Sequence, residues 1–598
     1  MPRSIDLDTL LRIPTVVDFD ISPDERHVCF VWNKTGRLQL YLLTLPEGAI
    51  EQLTFDPESK LGPRFSPNGE KLAYAQDYQG DEKFDLFVMD LASRKSVNIT
   101  PETNFAIYPH IRWSPDGERM AFSSNRTGKF SIYAMLSSGG EATMLCDHKY
   151  SDSDPEWSPD GRYVAFTSLI KGQDHGVFIV PSKGGEPVQI RDPEEAVDAF
   201  SPDWSPDGEK IAFVSSSKGN YDIGLYDVGT RCVEWLTDAR YESVAPSWSR
   251  DGRFLAFLLN REGNVSIAIR NKDGATRFFE VGPGIHSHVR FTPDSGSVAF
   301  IYSGPKNPPD LWILNLADGM TRQLTNSLPP SVSPEIFVAP RIVKYPTFDR
   351  RMISAFLYSP QNLLEGQLAP AIVWVHGGPT AQHRNDWYVA IQHLVNQGFV
   401  ILAPNYRGST GYGREFRVAN RFVLGKNDLA DAIAGAEFLK EQEIGDPAKI
   451  GITGSSYGGY LTMCALTKYP NKWAAGSALV PFLNWFTEVA SEREDLQYWD
   501  RENMGDPVKD KERFREASPI FYMDRIKAPV QMIAGKHDPR CPASEAEQAR
   551  EALARLGVDF EFKVYPDEGH GFRKLENMID AFKKRSFFFQ KHLMKEGP

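Results

Sequence analysis

The sequence predicts two joined architectures: a seven-bladed all-β propeller, then an α/β domain with a mostly parallel sheet and helices on both faces. Three observations predict this. A turn-and-strand motif recurs seven times in the first half, at intervals of 44, 48, 44, 47, 44 and 43 residues. The motif stops near residue 330. Beyond it, short apolar runs alternate with longer amphipathic ones.

The repeats start at Ser22, Ser66, Ser114, Ser158, Ser205, Ser249 and Thr292. The fifth reads Trp204-Ser205-Pro206-Asp207-Gly208 and runs into Lys210-Ile211-Ala212-Phe213. Pro presets φ and Gly accepts positive φ, so the first half of the unit is a turn and the second a strand. Another strand follows, as at 85–89, and several units close on a Leu-Thr or Ile-Thr step: Leu53-Thr54, Ile99-Thr100, Leu236-Thr237, Leu324-Thr325. A period in the forties with several short strands marks a propeller blade. Seven copies give seven blades over 19–330. Asp6 to Val16 reads as a helix before the first blade, and the Pro/Ser-rich stretch 328–334 as a linker.

In the second half, 371–375, 399–403, 449–453, 529–534 and 560–565 read as strands. Segments 428–441, 460–468, 544–556 and 576–593 read as helices.

The chemistry sits at the joins. Gly454-Ser455-Ser456-Tyr457-Gly458 fits G-x-S-x-G between a strand and a helix, the setting of a nucleophile elbow. A serine hydroxyl needs a base, and the base a carboxylate to orient it. Asp538 follows the 529–534 strand and His570 the 560–565 strand, both at the sheet edge where such sites form. This gives the order Ser456, Asp538, His570, with His537 and Asp567 as the nearest rivals. Two consecutive glycines in Val375-His376-Gly377-Gly378-Pro379 can turn backbone N–H groups toward a ligand. Gly378, then Gly377, with the N–H of Tyr457, are the candidate oxyanion hole.

Composition excludes other classes. Lys plus Arg is 67 and Asp plus Glu 79, a net charge of −12 with no basic block, against a nucleic-acid partner. Five scattered cysteines form no CxxC or Cys/His motif, so neither a disulfide framework nor a metal site is expected. No cofactor is expected. No apolar run approaches a membrane span and the N-terminus lacks a signal-peptide core, so the expected setting is cytoplasmic, without a membrane partner. Assembly into homo-oligomers is left open.

The whole chain resembles the prolyl oligopeptidase family of serine peptidases, which pair a propeller with an α/β-hydrolase domain. The matching segments are 375–379 (VHGGP), 405–413 (NYRGSTGYG), 454–460 (GSSYGGY), 535–542 (GKHDPRCP) and 567–572 (DEGHGF). HGGP and NYRGSTGYG are similar to the acylaminoacyl-peptidase branch. The resemblance implies an N-terminal segment 1–18 packed on the catalytic domain, a propeller at 19–330 and the hydrolase domain at 331–598. It implies that Arg540, two residues past Asp538, binds a substrate carbonyl. It places Phe482, Trp485, Phe486, Tyr498 and Trp499 where relatives build the pocket for the side chain before the scissile bond, which would favour large apolar groups. It makes Glu194-Glu195 a weak counterpart of the pair that grips the amine in dipeptidyl peptidases. The expected activity is hydrolysis of short peptides through an acyl-enzyme. The alternatives are a carboxylesterase or amidase, a dipeptidyl-peptidase-type exopeptidase, and a propeller binding module with an inactive hydrolase.

Overall fold

The computed structural model describes residues 6–101, 105–191, 198–238 and 240–594. The first half forms seven four-stranded antiparallel blades, at 16–52, 60–98, 112–144, 151–190, 199–235, 242–279 and 285–323, the last two linked by one parallel pairing, Val265 with Ile285. The Glu194-Glu195 pair lies outside the described residues.

The repeated turn has a chemical logic beyond its Pro and Gly. In all seven copies the Ser or Thr hydroxyl donates to the Asp or Asn two residues on, at 2.5–2.8 Å. The same oxygen accepts the N–H five residues on, at 2.9–3.0 Å. One side chain thus closes the turn and starts the next strand, satisfying a donor that would otherwise be orphaned. The Leu-Thr steps have an equally regular role. Thr54, Thr100, Thr237 and Thr325 each accept, through Oγ1, the N–H of the residue fourteen positions earlier, at 2.8–3.0 Å. The outer strand is thereby tied to the head of the third. Tryptophans of the motif join blades: Trp113, Trp157 and Trp204 donate their indole N–H to Arg64, Arg112 and Glu156 carbonyls of the preceding blade.

Each blade is made from consecutive strands, so the ring closes by packing rather than by an exchanged strand. Val16, Phe19, Phe30 and Trp32 of the first blade share a core with Ala299, Ile301 and Leu311 of the last. Arg290 Nε donates to the Phe19 carbonyl at 3.0 Å across the same seam.

The second half is an eight-stranded sheet. Its spatial order is Arg341–Pro346, Met352–Tyr358, Val400–Asn405, Ala369–Val375, Gly445–Ser455, Ala475–Leu479, Val530–Gly535, Phe560–Tyr565. The last six are parallel; the first two form an antiparallel hairpin on the edge. Helices Asn427–Glu441 and Tyr457–Lys468 bury one face of the sheet, and Leu575–Leu593 with Val389–Asn396 the other. The alternation of strands and helices therefore reads correctly, but the edge hairpin has no counterpart in the sequence reading.

The N-terminal helix is shorter than expected. It spans Leu7–Leu11, capped by Asp6, and Val16 already begins the first blade. Pro14 and the β-branched run Thr15-Val16-Val17 explain the early stop. Leu7 and Leu11 pack against Ile579 and Leu575 of the C-terminal helix, and Leu10 against Phe337 and Trp387.

The NYRGSTGYG segment faces the propeller. Glu242 of the sixth blade accepts the N–H groups of Gly411 and Gly413 at 2.7 and 3.2 Å. Just downstream, the buried Arg417 reaches Asp198 at 2.7 Å and Ser216 at 3.1 Å. Arg414 pairs with Asp174 at 2.6 Å.

Candidate active site

Ser456 stands between the strand Gly445–Ser455 and the helix Tyr457–Lys468 with φ 58° and ψ −127°. That left-handed backbone is costly for a residue with a Cβ, and packing imposes it. A Cβ on Gly454 would come within 2.5 Å of the Gly458 carbonyl group, and one on Gly458 within 2.8 Å of the His376 carbonyl. The flanking glycines are thus the condition for the elbow to close. Ser456 caps the helix, so the Tyr457 N–H is one of its unpaired N-terminal donors.

His570 Nδ1 bonds both Asp538 oxygens, at 2.8 and 3.0 Å. Asp538 is fully buried and also accepts the N–H groups of Arg540 and Cys541, at 2.8 and 2.9 Å. These bonds fix the carboxylate and leave the second ring nitrogen of His570 for another partner. Ser456, His570, Gly378 and Tyr457 line one cavity of about 350 Å³, at the small end of the roughly 300–1,000 Å³ of small-molecule clefts. The rivals are placed otherwise. Asp567 binds Lys574 and Asn577, and the His537 N–H serves the Glu568 carbonyl at 2.9 Å.

The glycine loop is braced from behind. The His376 ring stacks on Tyr406 with centroids 4.2 Å apart and bonds Ser409 Oγ at 2.8 Å. Burial lowers His376 to about 3, so it is a neutral strut. Gly377 lies against Ser456: a Cβ there would sit 3.2 Å from the Ser456 Cβ. The Tyr457 hydroxyl donates to Asp428 at 2.5 Å, which anchors the head of the helix; burial raises Asp428 to about 6.

Of the expected pocket residues, Phe482, Trp485 and Trp499 line the cavity, as does Arg540. Phe486 and Tyr498 do not. Phe486 packs on Phe514 and Phe521, at 5.4 and 6.1 Å, and the Tyr498 hydroxyl donates to the Ile170 carbonyl of the propeller at 3.0 Å. Each follows or precedes a lining residue by one position on a helix, and neighbours on a helix point about 100° apart.

The sequence reading missed Glu82. It lies between two strands of the second blade and binds Arg540 Nε at 2.9 and 3.0 Å and Arg493 Nη1 at 2.7 Å. Burial would raise its carboxyl, but Arg540 and Arg493 outweigh burial and hold it below the usual range. The same loop touches the histidine loop: a Cβ on Gly80 would lie 2.7 Å from Gly569 N, and one on Gly569 would overlap the Gly80 carbonyl. No spacing in the sequence signals these contacts. The reading also missed a polar cluster in the propeller, where donor atoms of Cys146, His148 and Asp152 lie within 4.8 Å of one another. His148 and Ser168 already bond Asp152, at 2.6 and 2.7 Å.

A propeller joined to this sheet, with a strained serine at the strand–helix junction, defines a propeller-bearing α/β-hydrolase. Residues 386–596 match the model of the prolyl oligopeptidase family, and 14–188 with 171–342 match that of the TolB β-propeller domain. Residues 386–596 are thus a prolyl oligopeptidase family domain, and the chain is a serine-type peptidase. It is 24% identical to the uncharacterized peptidase YuxL of Bacillus subtilis over 99% of this chain and 100% of that one. It is 27% identical to the acylamino-acid-releasing enzyme of Rattus norvegicus, over 42% of this chain and 35% of the rat protein. Its fold matches a puromycin-hydrolyzing peptidase of Mycobacterium tuberculosis with a TM-score of 0.88 at 21% identity, covering 100% of this chain and 97% of that one. Among the described residues, no helix is long and apolar enough to cross a membrane.

Proposed function

We propose that the chain hydrolyses short peptides, with Ser456 as nucleophile, His570 as its base and Asp538 orienting the imidazole. The observation that carries this is the strained Ser456 sharing one cavity with a histidine clamped by a buried aspartate. Ser456 attacks the scissile carbonyl as His570 takes its proton. The N–H groups of Tyr457 and Gly378 stabilise the oxyanion. His570 then returns the proton to the leaving amine, and water releases the acyl group by the reverse sequence. The resemblance to acylamino-acid-releasing enzymes favours small peptides over proteins, and so does the second blade, whose Gly80 and Glu82 press on the site.

A fluorophosphonate tests the nucleophile: it labels wild type at Ser456 and leaves Ser456→Ala unlabelled. Label on any other residue refutes the assignment. A ladder of peptides with one cleavable bond tests the size limit. Turnover collapses beyond about 30 residues and casein is spared, as the family resemblance implies, since an enclosed site admits only an extended, unfolded segment. Equal turnover of casein and a tripeptide analogue would remove the gating role of the propeller.

A further inference from the structure

The cavity that holds Ser456 is walled by aromatics but is not apolar. Glu488, Glu492 and Asp500 line it beside Trp485 and Trp499. They are 2%, 7% and 6% exposed. Glu492 shares a hydrogen bond with Asp500 and Glu488 one with Cys541, but Glu488 Oε2 and Glu492 Oε1 have no partner. The nearby cations are already engaged: Arg493 binds Asp495 and Glu82, and Arg540 binds Glu82. Among the described residues no Lys, Arg or His forms an ion pair with any of the three carboxyls.

A buried carboxylate without a cationic partner is among the costliest arrangements a fold can hold, so such groups keep protons until a positive charge arrives. Burial raises all three. Asp500 reaches about 7, Glu492 is pushed up further by Asp500, and Glu488 by Glu545, Asp500 and Asp538. The three carboxyls do not make a compact donor set of the kind a metal ion needs: among the described residues such a set, with all donors within 4.8 Å of one another, is Cys146, His148 and Asp152, in the propeller. The carboxyls share the cavity with Trp485 and Trp499, and aromatic faces also attract an organic cation.

We propose that this cavity receives an ammonium or guanidinium group of the substrate, held by Glu488, Glu492 and Asp500 against Trp485 and Trp499. The proposal rests on Ser456 being the nucleophile. It replaces the preference for large apolar groups expected from the aromatic residues alone. The cation arrives as protons leave the carboxyls, so selection for it strengthens as pH rises. The groups around the cluster are Asp495 and Arg493 on its own stretch of chain, Asp538, Arg540, Cys541 and Glu545 from the segment opposite, and Glu82 of the propeller.

The test uses the purified full chain and 4-nitroanilides. Blocked Lys and Arg substrates are compared with blocked norleucine, and free-amine norleucine with the same blocked norleucine. A cation preference of about 100-fold in kcat/KM is expected. If it falls on Lys and Arg, the cation is a side chain; if on the free amine, it is the peptide's N-terminus; either outcome upholds the proposal. For Lys and Arg the preference grows between about pH 5.5 and 8.5; for the free amine it grows only to about pH 7.5, above which the α-amino group loses its own proton; either preference shrinks at least about tenfold in Glu488→Gln and Glu492→Gln. Should those variants fail to fold, wild type still decides: benzamidine inhibits competitively and the neutral benzamide does not. Equal rates on all the anilides, with Ser456 still labelled by fluorophosphonate, overturn this inference alone. Absence of labelling overturns the nucleophile assignment and this inference with it.

Discussion

The two halves store information differently. The propeller repeats one local device: a hydroxyl, a carboxylate or amide two residues on, and an N–H five residues on, in seven copies. Each copy is complete within a few residues, and losing one leaves six. The candidate site is assembled once, from five separate loops and a propeller hairpin. Its parts lie up to about five hundred residues apart in sequence, as for Glu82 and His570. Repetition makes a region robust and legible; single assembly makes it specific and fragile.

Substitutions can break that contrast. The largest effect is expected at the proposed nucleophile. Ser456→Ala lowers kcat by roughly 10⁴–10⁶, because a triad acts as a unit. His570→Ala costs about as much and Asp538→Asn less. The melting temperature stays near wild type, and steady-state kinetics beside thermal denaturation checks both halves of that statement.

Next is Gly569→Ala, whose added methyl meets the Gly80 backbone. Overpacking of this kind costs about 1–3 kcal/mol, and here the strain falls on the histidine loop. We expect kcat/KM to drop about 10–100-fold, since a 1 Å displacement can cost about 100-fold. Gly571→Ala, two residues along with nothing within 4 Å of the new methyl, is the control and should lose far less. Equal losses would mean that the interdomain contact does not position the loop.

Glu82→Gln follows. It releases Arg540 and Arg493 from their shared carboxylate and should raise KM more than it lowers kcat, by about tenfold in kcat/KM. An unchanged KM would detach the second blade from substrate binding.

The smallest single-site effect belongs to the repeat. Ser205→Ala removes one hydroxyl bridge and should cost about 1 kcal/mol without altering kcat. A pH effect of up to about 3 kcal/mol is expected at Asp310, which burial raises from 3.8 to about 6 while it holds Thr325 and Ser327. Between those values the folded chain keeps a proton the unfolded chain has released. The stabilisation is therefore present at low pH and is lost as pH rises through about 6. Asp310→Asn should flatten the fall in stability across this window by up to about one proton, read from denaturant midpoints at several pH values.

The same contrast explains what the sequence disclosed. The blades and the elbow are local patterns, so Ser22 to Thr292 and Gly454 to Gly458 could be read directly. Asp538 and His570 could be placed because each follows an apolar strand. The acidic lining could have been seen in part, since Trp485 and Glu488 are spaced i, i+3 along one helical face, and Leu496, Trp499 and Asp500 i, i+3, i+4 along another. Aromatic content drew attention instead, and it also drew in Phe486 and Tyr498, which face away. Glu82 carried no signal at all. Its partners, Arg493 and Arg540, are more than four hundred residues distant, and only the seating of one domain on the other brings them together.

The backbone meeting of Gly80 and Gly569 has a consequence for how such a chain can change over generations. With no side chain on either residue, no room remains to absorb a shift. A residue inserted into the blade-two hairpin would need a matching deletion beside the histidine, in the same lineage and nearly at the same time. Exchange of propellers between relatives should therefore succeed only where both loops travel together, and a hydrolase half given a foreign propeller would keep its nucleophile while its histidine drifted out of register.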